Sequence, residues 1–236
     1  MMIGARTAAL AKAGGGGNIP SGFYVDYIEG TGSQYIKTGI YPNPRWQKFE
    51  IDLELTQDIN STGGVVGCRR DKILNNYSCN ILSWISSWAN SGINNTNLVG
   101  RPCFRIDSSI VKNTTSNYNS EFIVSKDERI KISTCSRKFE LNGVLYEIYY
   151  VDNKADVVLP YEMYIFTFNN AGTPMEKFLI GKVYDFRFFE DGKNLSNWFR
   201  PAVDGNGVVC MWDEITQMFH YNAGSGNFIA GPKSTK

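Results

Sequence analysis

The sequence predicts an all-β fold, a two-sheet antiparallel jelly-roll sandwich running from about Tyr24 to Pro232 behind an extended N-terminal arm. Three observations predict it. Stretches in which apolar and polar residues alternate recur from Tyr24 onward, the period of half-buried strands. Turn chemistry separates them, with 23 glycines in 236 residues. Phe, Tyr and Trp make up 14% of the chain and favour pleated surfaces, while no amphipathic helix of three turns can be drawn. Strands this numerous, joined by hairpins, must cover their apolar faces with a second sheet, which gives a sandwich or jelly roll.

Two segments divide the chain: residues 1–20, an arm with a Gly-rich linker, and residues 21–236, the sandwich. Ile3 to Ala13 is Ala-rich and helix-permissive but too short to hold a helix alone in water. Gly14 to Gly17 reads as flexible coil ahead of Pro20. Within the sandwich, Phe49-Glu-Ile-Asp-Leu-Glu-Leu55 alternates most cleanly, with Phe49, Ile51, Leu53 and Leu55 on one face and Glu50, Asp52 and Glu54 on the other. Arg129 to Cys135 leads into Phe139 to Tyr146, where Asn142-Gly143 is the preferred two-residue hairpin turn. Glu162 to Phe168 and Phe178 to Phe189 read as two more long strands, the second turning at Asp191-Gly192. Asp204-Gly-Asn-Gly207 closes a hairpin into Val208 to Trp212, and Asn227-Phe-Ile229 is the last strand. Asn75 to Arg101, rich in Asn around Trp84 and Trp88, is the least regular stretch and is expected to hold or border long loops.

Composition narrows the function classes. With 24 Lys and Arg against 23 Asp and Glu, and no run of like charge, partners recruited by bulk electrostatics (nucleic acid or a membrane surface) are not expected. No stretch is long and apolar enough to span a bilayer or to serve as a secretory signal. The five cysteines, 68, 79, 103, 135 and 210, form no CxxC pair and have no nearby His-based ligand partner, so zinc is not expected. Synthesis in a reducing cytoplasm with free, mostly buried thiols follows, and the Asn-X-Ser/Thr sequons at Asn60, Asn94, Asn113 and Asn194 then carry no weight.

Tyr27-Ile-Glu-Gly-Thr-Gly-Ser-Gln-Tyr-Ile-Lys-Thr-Gly-Ile-Tyr-Pro-Asn43 resembles the opening of concanavalin A-like, laminin G-like domains of tailed phages and prophages of gut bacteria. Ile180-Gly-Lys-Val-Tyr-Asp-Phe186, Arg200-Pro201 and Met211 to Pro232 resemble the end of those domains. The resemblance implies a jelly-roll fold and a virion surface protein: a fibre, decoration protein or adhesin present in many copies or as a homo-oligomer. It also implies that residues 1–20 are an arm docking on other virion proteins, capsid or tail. Ile3, Ala8, Ala9 and Leu10 would be buried against the partner, with Arg6 and Lys12 as polar clamps. The plainer reading is an untethered terminus. Glycines 30, 32 and 39 are expected to supply backbone conformations other residues resist, and the first and last strands to lie together.

Few constellations carry chemistry. Glu50-Ile-Asp-Leu-Glu54 resembles the E-x-D-x-E strand of laminarinase-type glycoside hydrolases, whose retaining members need two carboxyl groups roughly 5 Å apart. A strand with four apolar residues on one face needs a polar outer face anyway, and that reading is favoured. His220 is the only histidine, so no triad or multi-His metal site is expected, and it reads as a partly buried strand residue. No cofactor is expected. Ca²⁺ is the one metal the resemblance raises, yet Asp204-Gly-Asn-Gly207 lacks further acidic ligands and reads as a turn. For a host-surface polysaccharide, Trp46, Trp88 and Asn90 are the candidates, since aromatic faces stack on sugar rings and amides match hydroxyls.

Overall fold

The computed structural model describes residues 19–43, 48–57, 63–69, 79–86, 100–106, 109–110, 127–135, 138–147, 158–176 and 178–235. Among them the chain forms nineteen strands and no helix. These are β1 (Phe23–Tyr24), β2 (Ile28–Thr31), β3 (Ile36–Lys37), β4 (Lys48–Leu55), β5 (Gly63–Arg69), β6 (Cys79–Ser86), β7 (Gly100–Ile106), β8 (Ser109–Ile110), β9 (Arg129–Cys135) and β10 (Lys138–Leu141). Then follow β11 (Val144–Glu147), β12 (Tyr164–Ile165), β13 (Asn169–Asn170), β14 (Thr173–Pro174), β15 (Ile180–Phe189), β16 (Leu195–Val203), β17 (Val209–Asp213), β18 (Met218–His220) and β19 (Ile229–Ala230). The larger sheet runs β11-β10-β9-β4-β15-β16-β17-β18, with β1 on β16 and β2 joining β15 to β19. The smaller runs β14-β13-β5-β6-β7-β8, with β12 bridging β3 and β5. Pairing is antiparallel throughout except between β13 and β5. This is the two-sheet jelly-roll sandwich that alternation predicted.

The core lies between the sheets. From the large sheet come Phe49, Ile51, Leu53 and Leu55, then Ile130 and Ile132, then Val183, Phe186 and Phe188, then Phe199. They meet Ile36, Val65, Val66, Cys68, Tyr164 and Ile165 from the small sheet. Phe49, Phe186 and Phe199 form a tilted aromatic row with centroids 6.0 and 5.6 Å apart. Each such buried ring stabilises the fold by about 1.5–3 kcal/mol through area alone. The Asn142-Gly143 turn has φ of 50° and 83°, as a type I′ hairpin requires. Asn142 also ties the turn to β9, its amide donating to Lys131 O and its Oδ1 accepting from Lys131 N.

Three expectations need correction. Glu162 to Phe168 is not one long strand: only Tyr164–Ile165 pairs before Phe166 takes φ +72° and breaks the run. That conformation is costly for an aromatic residue, and it seats the Phe166 ring, fully buried, 4.7 Å from Phe228. Cys79–Ser86 is a regular strand inside the stretch expected to be least regular. Gly30 is needed for space rather than for φ, because a Cβ there would lie 2.7 Å from the Phe166 ring, whereas Gly32 and Gly39 do hold positive φ. The ends of the domain lie together as expected: β19 pairs with β2, and Ala223 N and Ser225 N donate to Tyr35 O and Ser33 O.

Candidate functional site

The site is built on the face of the large sheet opposite the core, beginning with the carboxylates of β4. Period 2 puts Glu50, Asp52 and Glu54 there because Phe49, Ile51, Leu53 and Leu55 point inward. Its neighbour β15 is less regular. A bulge between Val183 and Asp185 breaks the register against β4, so two consecutive residues, Tyr184 and Asp185, project outward between the buried Val183 and Phe186. The signal was present in the sequence: strict alternation leaves one residue between inward positions, and here there are two. Asp185 thereby comes opposite Asp52. Sequence reasoning did not single out Asp185, Trp198, Arg200 or Tyr24, all of which this face brings together.

Five carboxylates on the face, Glu50, Asp52, Glu54, Asp185 and Glu214, each pair with a protein cation, and each of those five cations lies over an aromatic ring. Arg129 grips Asp52 with two bonds, Nε to Oδ1 at 2.8 Å and Nη2 to Oδ2 at 2.9 Å, and stacks 3.8 Å above Tyr184. Lys182 donates to Glu54 at 2.5 Å and sits 5.0 Å over Tyr27, while Tyr184 Oη donates to the other Glu54 oxygen at 2.7 Å. Arg187 pairs with Asp185 at 2.8 Å and lies 4.7 Å over Trp198, whose indole N–H donates to Asp185 at 2.5 Å. Arg200 donates to Glu214 at 2.9 Å and stacks 3.8 Å over Tyr24, whose hydroxyl also donates to Glu214. Lys48 pairs with Glu50 and sits 4.7 Å over Phe189. The planar faces of Arg suit such stacking.

Protonation preferences follow from this wiring. Burial works against the Glu54 charge, but the bonds from Lys182 and Tyr184 outweigh it and hold the carboxyl below its ordinary value. Arg129 and Lys182 are held above theirs, chiefly by their hydrogen bonds to Asp52 and Glu54. Asp185 goes the other way: burial raises it, Arg187 and Trp198 only partly compensate, and Asp52 adds repulsion. Glu54, ionised and doubly bonded, is poorly suited to donate a proton to a leaving group. The E-x-D-x-E strand is in this structure a row of paired charges.

The other candidates fall as follows. Asp204 accepts from Asn206 N at 2.9 Å, Val208 N at 2.8 Å and Tyr221 Oη at 3.0 Å, which makes it the lock of a turn. Among the described residues no three His, Cys, Asp or Glu side chains gather as a metal site. His220 is a partly exposed strand residue whose Nδ1 lies 2.9 Å from Lys37 O, joining the two sheets. Trp46, Trp88 and Asn90 lie outside the described residues, as do Ile3, Arg6, Ala8, Ala9, Leu10 and Lys12.

No protein-family model and no curated protein matches the chain. Solved structures do resemble it. One is a "putative carbohydrate binding protein" from Bacteroides ovatus, with a TM-score of 0.52 and 10% identity over 91% of this chain and 62% of that one. Another is the heptameric SAP-like pentraxin of Limulus polyphemus, with a TM-score of 0.49 and 12% identity over 88% and 94%. This chain therefore spans under two thirds of the Bacteroides protein. At 10% identity that likeness is one of fold, and it is to a jelly-roll sandwich.

Proposed function

We propose that the sandwich binds carbohydrate without cleaving it, across the outer face of the large sheet. The observation that carries this reading is the alternation there of half-buried rings, Tyr24, Tyr27, Tyr184 and Trp198, with carboxylates and guanidinium groups. Rings stack on the apolar faces of sugars, and the charged groups retain donors and acceptors for hydroxyls. The sandwich shared with the "putative carbohydrate binding protein" of Bacteroides ovatus agrees with it. Pairing of all three β4 carboxylates speaks against the glycoside hydrolase alternative. Trp46, Trp88 and Asn90 extend the proposal as a second contact. On a glycan array the full chain should bind at least one glycan and Trp198→Ala should lose it; no signal above background, with and without Ca²⁺, would sink the reading.

The setting proposed is the surface of a phage virion, the protein being made in the bacterial cytoplasm. Its support is the resemblance of Tyr27–Asn43 and Met211–Pro232 to such domains. Ile3, Arg6, Ala8, Ala9, Leu10 and Lys12 would dock the protein on a capsid or tail partner. Removing residues 1–17 should leave a folded, glycan-competent domain that no longer enters particles; incorporation at the normal level would overturn the docking role.

A further inference from the structure

We infer that the ligand of the outer face is an uncharged, polyhydroxylated polysaccharide, an inference that rests on the carbohydrate-binding reading above. Among the described residues, five cations of the face are each held twice, by a carboxylate and by a ring: Lys48, Arg129, Lys182, Arg187 and Arg200. A sulfate, uronate or sialate would have to draw one of them from both partners. That would leave a carboxylate such as Glu54, its side chain only 12% exposed, or Asp185 without its cation, and an uncompensated charge in so little water is strongly unfavourable. An anionic uronic acid chain gains nothing from the carboxylates either, since like charges repel.

Hydroxyl groups meet no such obstacle. A carboxylate has about four lone-pair directions and a guanidinium five N–H donors, so each paired group keeps capacity toward solvent while its pair stays intact. The rings stay in place with their cations and, being half-buried, keep part of their apolar surface for a pyranose. The described exception is Lys131. Its ammonium is 3.8 Å from Asp52 Oδ2, an atom Arg129 already occupies, and its side chain is 75% exposed. If the face takes an anion, Lys131 is where it would do so.

The test is affinity electrophoresis of the full chain through gels containing a neutral polymer (laminarin or dextran) or an anionic one (alginate or chondroitin sulfate). Trp198→Ala, Tyr24→Ala and Lys131→Ala run alongside, with thermal melts confirming that each folds. The expected result is retardation by a neutral polymer that survives a rise from about 0.1 to about 1 M NaCl, where exposed charge pairs are screened. It should weaken roughly tenfold in Trp198→Ala or Tyr24→Ala and stay unchanged in Lys131→Ala. Retardation by an anionic polymer alone, abolished by salt and by Lys131→Ala, would overturn the inference while leaving carbohydrate binding in place. Neutral retardation indifferent to Trp198→Ala and Tyr24→Ala would move the site off this face and overturn the inference too. No retardation by any polymer would remove both the inference and the carbohydrate reading.

Discussion

The outer face of the large sheet has two halves of opposite chemistry. From β9 to β16 it is a lattice of ion pairs: Arg129 with Asp52, Lys182 with Glu54, Arg187 with Asp185. From β16 to β18 it is apolar, with Ile19, Ala202, Cys210 and Trp212 buried together and Tyr24 and Phe219 packed against them. Both halves are on the same side of one sheet, so strand periodicity does not explain the difference. What closes each half does. Ile19, just ahead of β1, caps the apolar half, and the polar half closes on itself through charges and rings. Tyr24 belongs to both, touching the apolar cluster while its ring carries Arg200 and its hydroxyl serves Glu214. One half is therefore a small second core and the other is a surface made rigid without being made dry.

The largest effect that separates them is on stability. Trp212 is 4% exposed, its indole nitrogen has no hydrogen-bond partner, and its ring lies 4.7 Å from Phe219. It acts as packing alone. Trp212→Ala should cost about 3–5 kcal/mol, read as a lower midpoint in denaturant with the slope unchanged. A loss below about 1 kcal/mol would mean that the apolar half collapses around the gap and is not a second core. Burial also pushes the Cys210 thiol in this cluster up to about 12, with the Asp204 charge adding to it, which fits an inert structural cysteine.

Much of the large sheet was legible in the sequence, because β4, β9 and the β10–β11 hairpin follow local rules: alternation in Phe49 to Leu55 and turn chemistry at Asn142-Gly143. The small sheet was less so. In β5, Gly63, Gly64 and Gly67 erase the alternating pattern, and Gly64 is required by close packing, since a Cβ there would lie 2.9 Å from Phe168. The Glu162 to Phe168 stretch misled because local propensity for a strand lost to the core's demand for the Phe166 ring. The site was half visible. Glu50, Asp52 and Glu54 could be placed on one face, but their partners Arg129 and Lys182 lie 77 and 128 residues away, and only sheet register brings them in. Asp185 was hidden by a bulge whose trace, two residues between Val183 and Phe186, reads as noise until its cross-strand partner is known.

A smaller effect, confined to the polar half, concerns pH. Asp185 has a folded-state pKa above its ordinary value, because burial disfavours its charge. The folded state then takes up a proton before the unfolded chain does, so this group's contribution to stability grows as pH falls through the raised pKa toward the ordinary aspartate value. Glu54, held below its ordinary value, contributes stability above the unfolded pKa that is lost as pH falls through the folded one. The two windows lie on opposite sides of the ordinary carboxylate range. In Asp185→Asn, the gain on mild acidification should disappear, so its melting temperature falls relative to the parent between neutral pH and that range. In Glu54→Gln, the parent's loss at lower pH should be missing instead. Parallel curves for the parent and Asp185→Asn would show that Asp185 carries no net burial penalty, and the polar half would then be wetter than its ion pairs imply.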